Sequence, residues 1–309
     1  MTIRFDDRVA VVTGAGQGLG RCHALLLARR GAKVVVNDVG VAVDGAGNDA
    51  APAEAVVEEI RAGGGEAVAS FESVAERDAA TAIVQRAVEA FGKVDILINN
   101  AGILRDASFH EMTFADFEEV LRVHLLGSFY VTRAAFPIMR DNGYGRIVMT
   151  SSAAGLYGNQ GQANYAAAKL GLVGMMNALA VEGRQSNVLV NTISPVADTR
   201  MGAGVFPDYF KELVRPELVT AAVAYLCSEQ CTSSGDVITA AAGYFARAEI
   251  VESAGVAFPP GSEVTPEMIA ERYGEITDLA EARPQRSAMH AFKKIFTKVR
   301  RASAAPAVR

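Results

Sequence analysis

Tyr165 and Lys169 stand four residues apart in Tyr165-Ala-Ala-Ala-Lys169. On a helix that spacing puts a phenol and an ammonium on one face, within reach of a common ligand. A free tyrosine has a pKa near 10, so acid–base work at neutral pH needs a drop of about three units, roughly 4 kcal/mol of preferential stabilisation of the phenolate. The lysine charge supplies part of it. Ser152 ends a strand-like run 13 residues upstream, where its hydroxyl can polarise a substrate oxygen. Tyr-x-x-x-Lys recurs by chance in many sequences; the serine and the glycine loop described next give it weight. The chemistry that this set suits is proton exchange with an alcohol or ketone oxygen.

A second cluster lies at the start of the chain. Thr13-Gly-Ala-Gly-Gln-Gly-Leu-Gly20 falls between a strand-like and a helix-like segment, where Gly14, Gly18 and Gly20 let the backbone turn tightly and approach a pyrophosphate at a helix N-terminus. The spacing is T-G-x-x-x-G-x-G instead of G-x-G-x-x-G, and a glycine cluster without its context is weak evidence. Asp38 follows at the end of the second strand, placed to accept hydrogen bonds from the adenine-side ribose and to repel a 2′-phosphate. No Arg or Lys follows closely to receive such a phosphate. The expected cofactor is therefore NAD, whose oxidised nicotinamide adds positive charge near the tyrosine. The plainer reading of Asp38 is that it opens a turn with Asn37 and Gly40. Asn99-Asn-Ala-Gly102 closes the fourth strand at the same sheet edge; Ala101 and Gly102 allow close backbone approach, and Asn100 can fix the loop.

The elements that must position these groups follow βαβ grammar. Strand candidates are Val9–Thr13, Lys33–Asp38, Ala67–Phe71, Val94–Asn99, Arg146–Ser151, Val188–Ser194 and Asp236–Thr239, separated by segments of helical periodicity such as Leu19–Arg30. This predicts a doubly wound α/β fold with a seven-stranded parallel sheet covered by helices on both faces. Gly31 and Gly92 mark helix ends, and Pro137 should kink or end a long helix near Ala135. Residues 1–245 read as one dinucleotide-binding domain and 246–309 as a helical extension. In the extension, Thr265-Pro-Glu restarts a helix. Met289, Phe292, Ile295, Phe296 and Val299 then form one face of a basic amphipathic helix carrying Lys293, Lys294, Lys298 and Arg300, and Ala302–Arg309 should fray.

Charge and composition narrow the classes. The net charge is −5, yet the stretch from Arg283 onward holds eight Lys/Arg and no Asp/Glu. The main body is thus acidic, which argues against nucleic-acid binding. No apolar run is long enough to span a bilayer and no signal-peptide core opens the chain, so the expected location is cytoplasmic. Cys22, Cys227 and Cys231 suggest packing, not disulfides. His23, His110, His124 and His290 have no ligand spacing, so no metal is expected.

In this order and spacing, Thr13–Gly20, Asn99–Gly102, Ser152, Tyr165 and Lys169 resemble the short-chain dehydrogenase/reductase family, with its Rossmann-like sheet. Val35-Val-Asn-Asp38, Asn99-Asn-Ala-Gly-Ile-Leu-Arg-Asp106, Val123-His-Leu125, Met149-Thr-Ser-Ser152 and Gly158-Asn-Gln-Gly-Gln-Ala-Asn-Tyr165 are similar to one branch. That branch is the 3-hydroxyacyl-CoA dehydrogenase domain of type 2 peroxisomal multifunctional enzymes, also called 17β-hydroxysteroid dehydrogenase type 4. The similarity continues to Thr265-Pro-Glu and Pro284-Gln-Arg-Ser287. The resemblance implies that Ser152 orients the substrate oxygen, Tyr165 transfers the proton, and Lys169 binds the nicotinamide ribose while lowering the tyrosine pKa. It also implies that Gln17, Leu19, Asp38, Ser73, Val74 and Asn100 line the cofactor, with Pro195 and Thr199 in the loop over the nicotinamide.

Three positions depart from the family pattern. His124 replaces the family's usual Asn in the proton relay, Glu72 replaces a common adenine-contacting Asp, and Pro195-Val-Ala-Asp replaces a Pro-Gly. The implied substrate is a (3R)-hydroxyacyl-CoA or a steroid-side-chain acyl-CoA, with a free hydroxysteroid as the alternative. A non-catalytic NAD sensor, or a tail that binds a membrane or partner, is the reading from another class. Gly127, Ser128 and Phe129, with the Tyr165 helix, would form a homodimer or homotetramer interface.

Overall fold

The computed structural model describes residues 2–199, 213–285 and 287–304. The chain forms two compact units, Met1–Arg247 and Ala248–Arg309. In the first, the β-branched runs become buried parallel strands: β1 (Val9–Thr13), β2 (Lys33–Asn37), β3 (Ala67–Ser70), β4 (Ile96–Asn99), β5 (Gly145–Thr150), β6 (Val188–Val196) and β7 (Val237–Ala241). The strand order is β3-β2-β1-β4-β5-β6-β7, with one further strand beside β7. Val11 pairs with Val35 on one side and Leu97 on the other. Helices α1 (Gly18–Arg29), α2 (Ala51–Ala62), α3 (Arg77–Phe91), α4 (Phe114–Leu121), α5 (Gly127–Asp141), α6 (Ala153–Tyr157), α7 (Ala163–Glu182) and α8 (Pro216–Leu226) accompany the sheet. The order reverses between β1 and β4, and open α/β sheets bind ligands beyond the strand ends at such a point.

The sheet has eight strands where seven were expected. After β7 the chain reverses through Ala242 at φ 50° and Gly243 at φ 79° into β8 (Tyr244–Ala248). Two successive left-handed residues match a two-residue hairpin turn, whose twist suits the flanking strands. An alanine seldom takes that conformation, so Ala242-Gly243 gave little sign of a turn.

The segment after Thr113 also differs from expectation. The Thr113 hydroxyl accepts from Asp116 N at 3.0 Å and caps α4. One π-helical turn, Arg122–Leu126, then leads into α5. Pro137 does not end the helix, which runs on to Asp141. Pro137 and Arg133, one turn back, both face solvent. Water can therefore take the carbonyl that proline leaves free, while buried Phe136 and Met139 hold the turn against the core.

In the second unit, Val251–Glu252 pairs antiparallel with Arg283–Pro284. Thr265 caps the helix Pro266–Glu271 by accepting from Met268 N. The terminal helix Ala288–Ala304 turns part of its basic face inward. Lys294 donates to Ser253 O at 2.5 Å, and Lys298 donates to Ala254 O at 2.8 Å and Gly255 O at 2.5 Å. Met289 and Phe296 on its apolar side are 73% and 70% exposed. Cations, more than apolar contacts, seat this helix in its unit, the reverse of the usual amphipathic arrangement. Ala302–Ala304, expected to fray, are helical; the remainder of that segment, and Arg286 of the Pro284–Ser287 motif, lie outside the described residues. Among the described residues no helix is long and apolar enough to cross a membrane.

The α1–α8 packing contains a buried histidine. Thr220 Oγ1 donates to Pro216 O at 3.1 Å, so it accepts from His23 Nδ1, 2.8 Å away, and His23 Nε2 has no partner. Burial pushes the imidazole pKa down from 6.5 to about 3. Between those values the unfolded chain binds a proton that the folded one does not, so stability is full above 6.5 and falls on acidification towards 3. Urea unfolding of wild type minus His23→Leu should give a slope of up to about 1.4 kcal/mol per pH unit in that window. A flat difference would refute the assignment.

Candidate active site

A crevice opens beyond the C-terminal ends of β1, β2 and β4. It is lined by Gly14, Gln17, Gly18, Leu19, Asp38, Ser73, Val74, Asn100, Ala101, Gly102 and Thr199, all expected there. Helix α1 begins with no side-chain cap on Gln17 and no acid in its first turn. Its leading N–H groups are therefore left without a side-chain acceptor, an arrangement that suits an anion. The loop is held from below: Asn100 Nδ2 donates to Thr13 O at 3.0 Å and Gly14 O at 2.9 Å. Gly20 does not line the crevice; a Cβ there would lie 2.2 Å from Gly14 O, so its role is to let α1 pack under the loop. Pro195 is likewise displaced from the expected loop: it lies within β6, paired with Ala240.

Asp38 opens the turn, the plainer of the two roles considered for it, and also lines the crevice. Its Oδ1 accepts from Gly40 N and its Oδ2 from Gly16 N, each at 2.8 Å. The carboxylate thus orders the turn after β2 and the glycine loop together, and each oxygen keeps a lone pair for a further donor. Glu72 lines the same crevice, but its carboxylate is tied back to Ser70 Oγ at 2.5 Å. Val41, Ala42, Val43, Gly45 and Ile103, with Glu119 of α4 and Arg122 and Val123 of the π turn, also line the crevice and were not anticipated. The clue to the loop residues was the spacing of Gly40 and Gly45, both at positive φ.

At the end of β5, the strand hands Ser152 to α6 as its N-cap, where its hydroxyl accepts from Ala154 N at 3.2 Å. Tyr165 and Lys169 lie on the first two turns of α7. The structure brings the three together: Ser152 lies near enough to the Tyr165 phenol to act on its ionisation, and Lys169 Nζ lies 5.4 Å from the Tyr165 ring centre. Burial pushes the Tyr165 phenol up, against the lowering effect of Ser152, and the Asp106 carboxylate adds to the rise. The expected drop in the tyrosine pKa is therefore not present in the protein by itself. Burial also lowers Lys169 to about 7, so its charge is not fully available at neutral pH.

His124 sits in the π turn and is buried. Its ring meets that of Tyr165 edge to face at 88°, centre to centre 5.1 Å. Its Nε2 lies 2.8 Å from Ile103 O, while Nδ1 is buried without a partner. Burial, then the Lys169 charge, holds its pKa well below the ordinary value, so the ring is neutral. Gly127 and Ser128, expected at a subunit interface, are buried: a Gly127 Cβ would meet Val74 at 2.9 Å, and Ser128 donates to His124 O. Of that trio Phe129 remains exposed.

Fold and site together define a short-chain dehydrogenase, and comparison with known proteins agrees. The short chain dehydrogenase family matches residues 8–209. The chain is 48% identical over 283 residues to the peroxisomal multifunctional enzyme type 2 of Drosophila melanogaster, covering 91% of this chain and 47% of that enzyme. The solved full-length structure of the fly enzyme superposes with a TM-score of 0.84 at 40% identity, over 98% of this chain and 51% of the other. A short chain dehydrogenase from Mycobacterium avium gives a TM-score of 0.78 at 41% identity, over 91% and 97% of the two chains. The chain belongs to the short-chain dehydrogenase family and is an oxidoreductase. Its motif resemblance to the multifunctional enzymes holds over the whole domain, and it spans about half the length of those relatives.

Gly102 lies directly against His124: a Cβ there would be 2.1 Å from His124 Cε1. Gly102→Ala should therefore displace the imidazole at an overpacking cost of about 1–3 kcal/mol. A thermal midpoint equal to wild type would show that the ring is not confined there.

Proposed function

We propose that this oxidoreductase uses NAD to oxidise the 3-hydroxyl of a (3R)-hydroxyacyl-CoA, or of a steroid-side-chain acyl-CoA, to the 3-keto thioester. The observation that carries this reading is the grouping of Ser152, Tyr165 and Lys169 where β5 meets α7, with a crevice lined by an uncapped helix start in the same sheet. An NAD held there by the glycine loop, Asp38 and Asn100 would supply a hydride acceptor and positive charge. Ser152 holds the substrate oxygen, and Tyr165 removes its proton as the carbonyl forms. Lys169, when protonated, favours the phenolate. His124 braces the Tyr165 ring and is neutral, so in this reading it acts on the reaction through position.

NAD in preference to NADP rests on Asp38, whose charge opposes a 2′-phosphate. The acyl-CoA substrate rests on the similarity to multifunctional enzymes and to peroxisomal hydratase-dehydrogenase-epimerases, of which Saccharomyces cerevisiae has one 46% identical over 292 residues. A free hydroxysteroid is the second reading. It is favoured by a TM-score of 0.70 at 30% identity, over 78% of this chain and 95% of the other, to a 7α-hydroxysteroid dehydrogenase solved with NADH and 7-oxo glycochenodeoxycholic acid. Three free cysteines suit a reducing compartment such as the cytoplasm; the multifunctional relatives carry peroxisomal names. Assembly as a homodimer or homotetramer belongs to the same reading.

A panel of 3-hydroxyacyl-CoA thioesters and free hydroxysteroids, each with NAD and NADP and followed by absorbance of the reduced cofactor, tests the assignment. Thioesters with NAD should give the highest kcat/KM; faster turnover of free steroids selects the second reading. Tyr165→Phe should lower kcat by about 10²–10⁴ while NADH binding persists. Retained turnover in that variant overturns the mechanism.

A further inference from the structure

Arg105 occupies a junction that the proposed chemistry does not use. The loop after β2 runs along the crevice, contributing Val41, Ala42, Val43 and Gly45 to its wall. Its base is closed by Asp49 N donating to Val39 O at 3.2 Å. Its tip leans on the segment after β4. Leu104 N donates to Val43 O at 2.9 Å, and Arg105 Nε donates to Asp44 O at 3.0 Å. The same guanidinium reaches the other way to Asp116 on α4, with Nη1 3.1 Å from Oδ1.

Beyond Leu104, the main chain of this segment is tied to the start of α7. Asn164, fully buried, donates from Nδ2 to Arg105 O at 2.9 Å and accepts from Tyr165 N at 2.7 Å. Ala107 N donates to Gly161 O at 2.9 Å, and Gln162 Nε2 to Asp106 Oδ2 at 2.8 Å. Residues 104–107 thus form a strap. The Arg105 side chain holds the crevice loop beside the Leu104 N–H; the strap backbone from Arg105 on holds the helix that carries Tyr165.

We infer that Arg105 is a positioning residue that latches the Val41–Gly45 loop along the dinucleotide crevice and so sets dinucleotide affinity without taking part in the chemical step. The inference rests on the proposed reading of the crevice as a dinucleotide site. A planar, forked guanidinium can serve a backbone carbonyl and a carboxylate at once, which a single ammonium on a flexible stem does poorly. Removing the side chain leaves the Arg105 carbonyl, and hence the Asn164 contact, in place. Affinity and turnover should therefore separate.

NADH titrations read by the fluorescence of the reduced nicotinamide are favoured by the absence of tryptophan in the chain. Arg105→Ala should weaken NADH binding by about tenfold, with kcat at saturating cofactor within about twofold of wild type on the same scale. Arg105→Lys should fall between them, and it serves alone if the alanine variant does not fold. Asp116→Asn should weaken binding less than Arg105→Ala, and the double variant should be no worse than Arg105→Ala, because the pair acts as one unit. Hydrogen exchange in the Val41–Gly45 loop should quicken in Arg105→Ala, a change that a general loss of stability would not confine to that loop.

Wild-type affinity in both Arg105 variants overturns the inference, as does a fall in kcat with affinity intact. A wild-type protein that binds no dinucleotide at all overturns instead the reading of the crevice.

Discussion

Lys169 is 3% exposed and donates through Nζ to the carbonyl of Thr150, the last residue of β5, at 2.6 Å. An ammonium in such a place is costly unless its protons are bonded, so α7 has little freedom to slide along the strand. A second bond, from Ser151 Oγ to Lys169 O at 2.9 Å, fixes the same register from the other side. Gly155 allows α6 to close on this junction, since a Cβ there would lie 2.7 Å from the Lys169 Cβ. Ser152 and Tyr165 meet because these contacts fix where the strand ends relative to where the helix begins. The glycine loop, the strap and the His124 brace all add to a geometry that this joint has already set.

The same burial governs the charges. His124 is neutral, the Tyr165 phenol is held protonated, and Lys169 titrates at about 7. The protein by itself therefore disfavours the Tyr165 phenolate. In a low-dielectric site each added charge acts strongly on its neighbours, so the ionisation of Tyr165 depends on what else occupies the crevice. From sequence, Lys169 and oxidised nicotinamide share the lowering; in the protein by itself burial sets the opposite direction.

Much of this was legible in the amino-acid sequence because it depends on local rules. The buried strands announce themselves by β-branched runs, and Thr13–Gly20 and Tyr165–Lys169 by spacing along single elements. What escaped was non-local or depended on solvent exposure. The β7–β8 hairpin turns on an alanine at positive φ. Pro137 is tolerated because its turn faces water, which residue type does not reveal. Gly20 and Pro195 belong to the expected motifs, yet Gly20 lets α1 pack under the loop and Pro195 lies within β6. The inward lysines of the terminal helix follow from carbonyls some 40 residues away in sequence, at Ser253 to Gly255, beyond the reach of any helical periodicity.

The imidazole of His124 fills the volume in which a side chain at position 102 would begin. The two sites are therefore one unit of inheritance: a descendant that gains a methyl group at 102 must first trade the ring at 124 for something smaller, or lose the edge-to-face contact with the tyrosine. Drift at either place is conditional on the other, although 21 residues of chain lie between the residues that meet there.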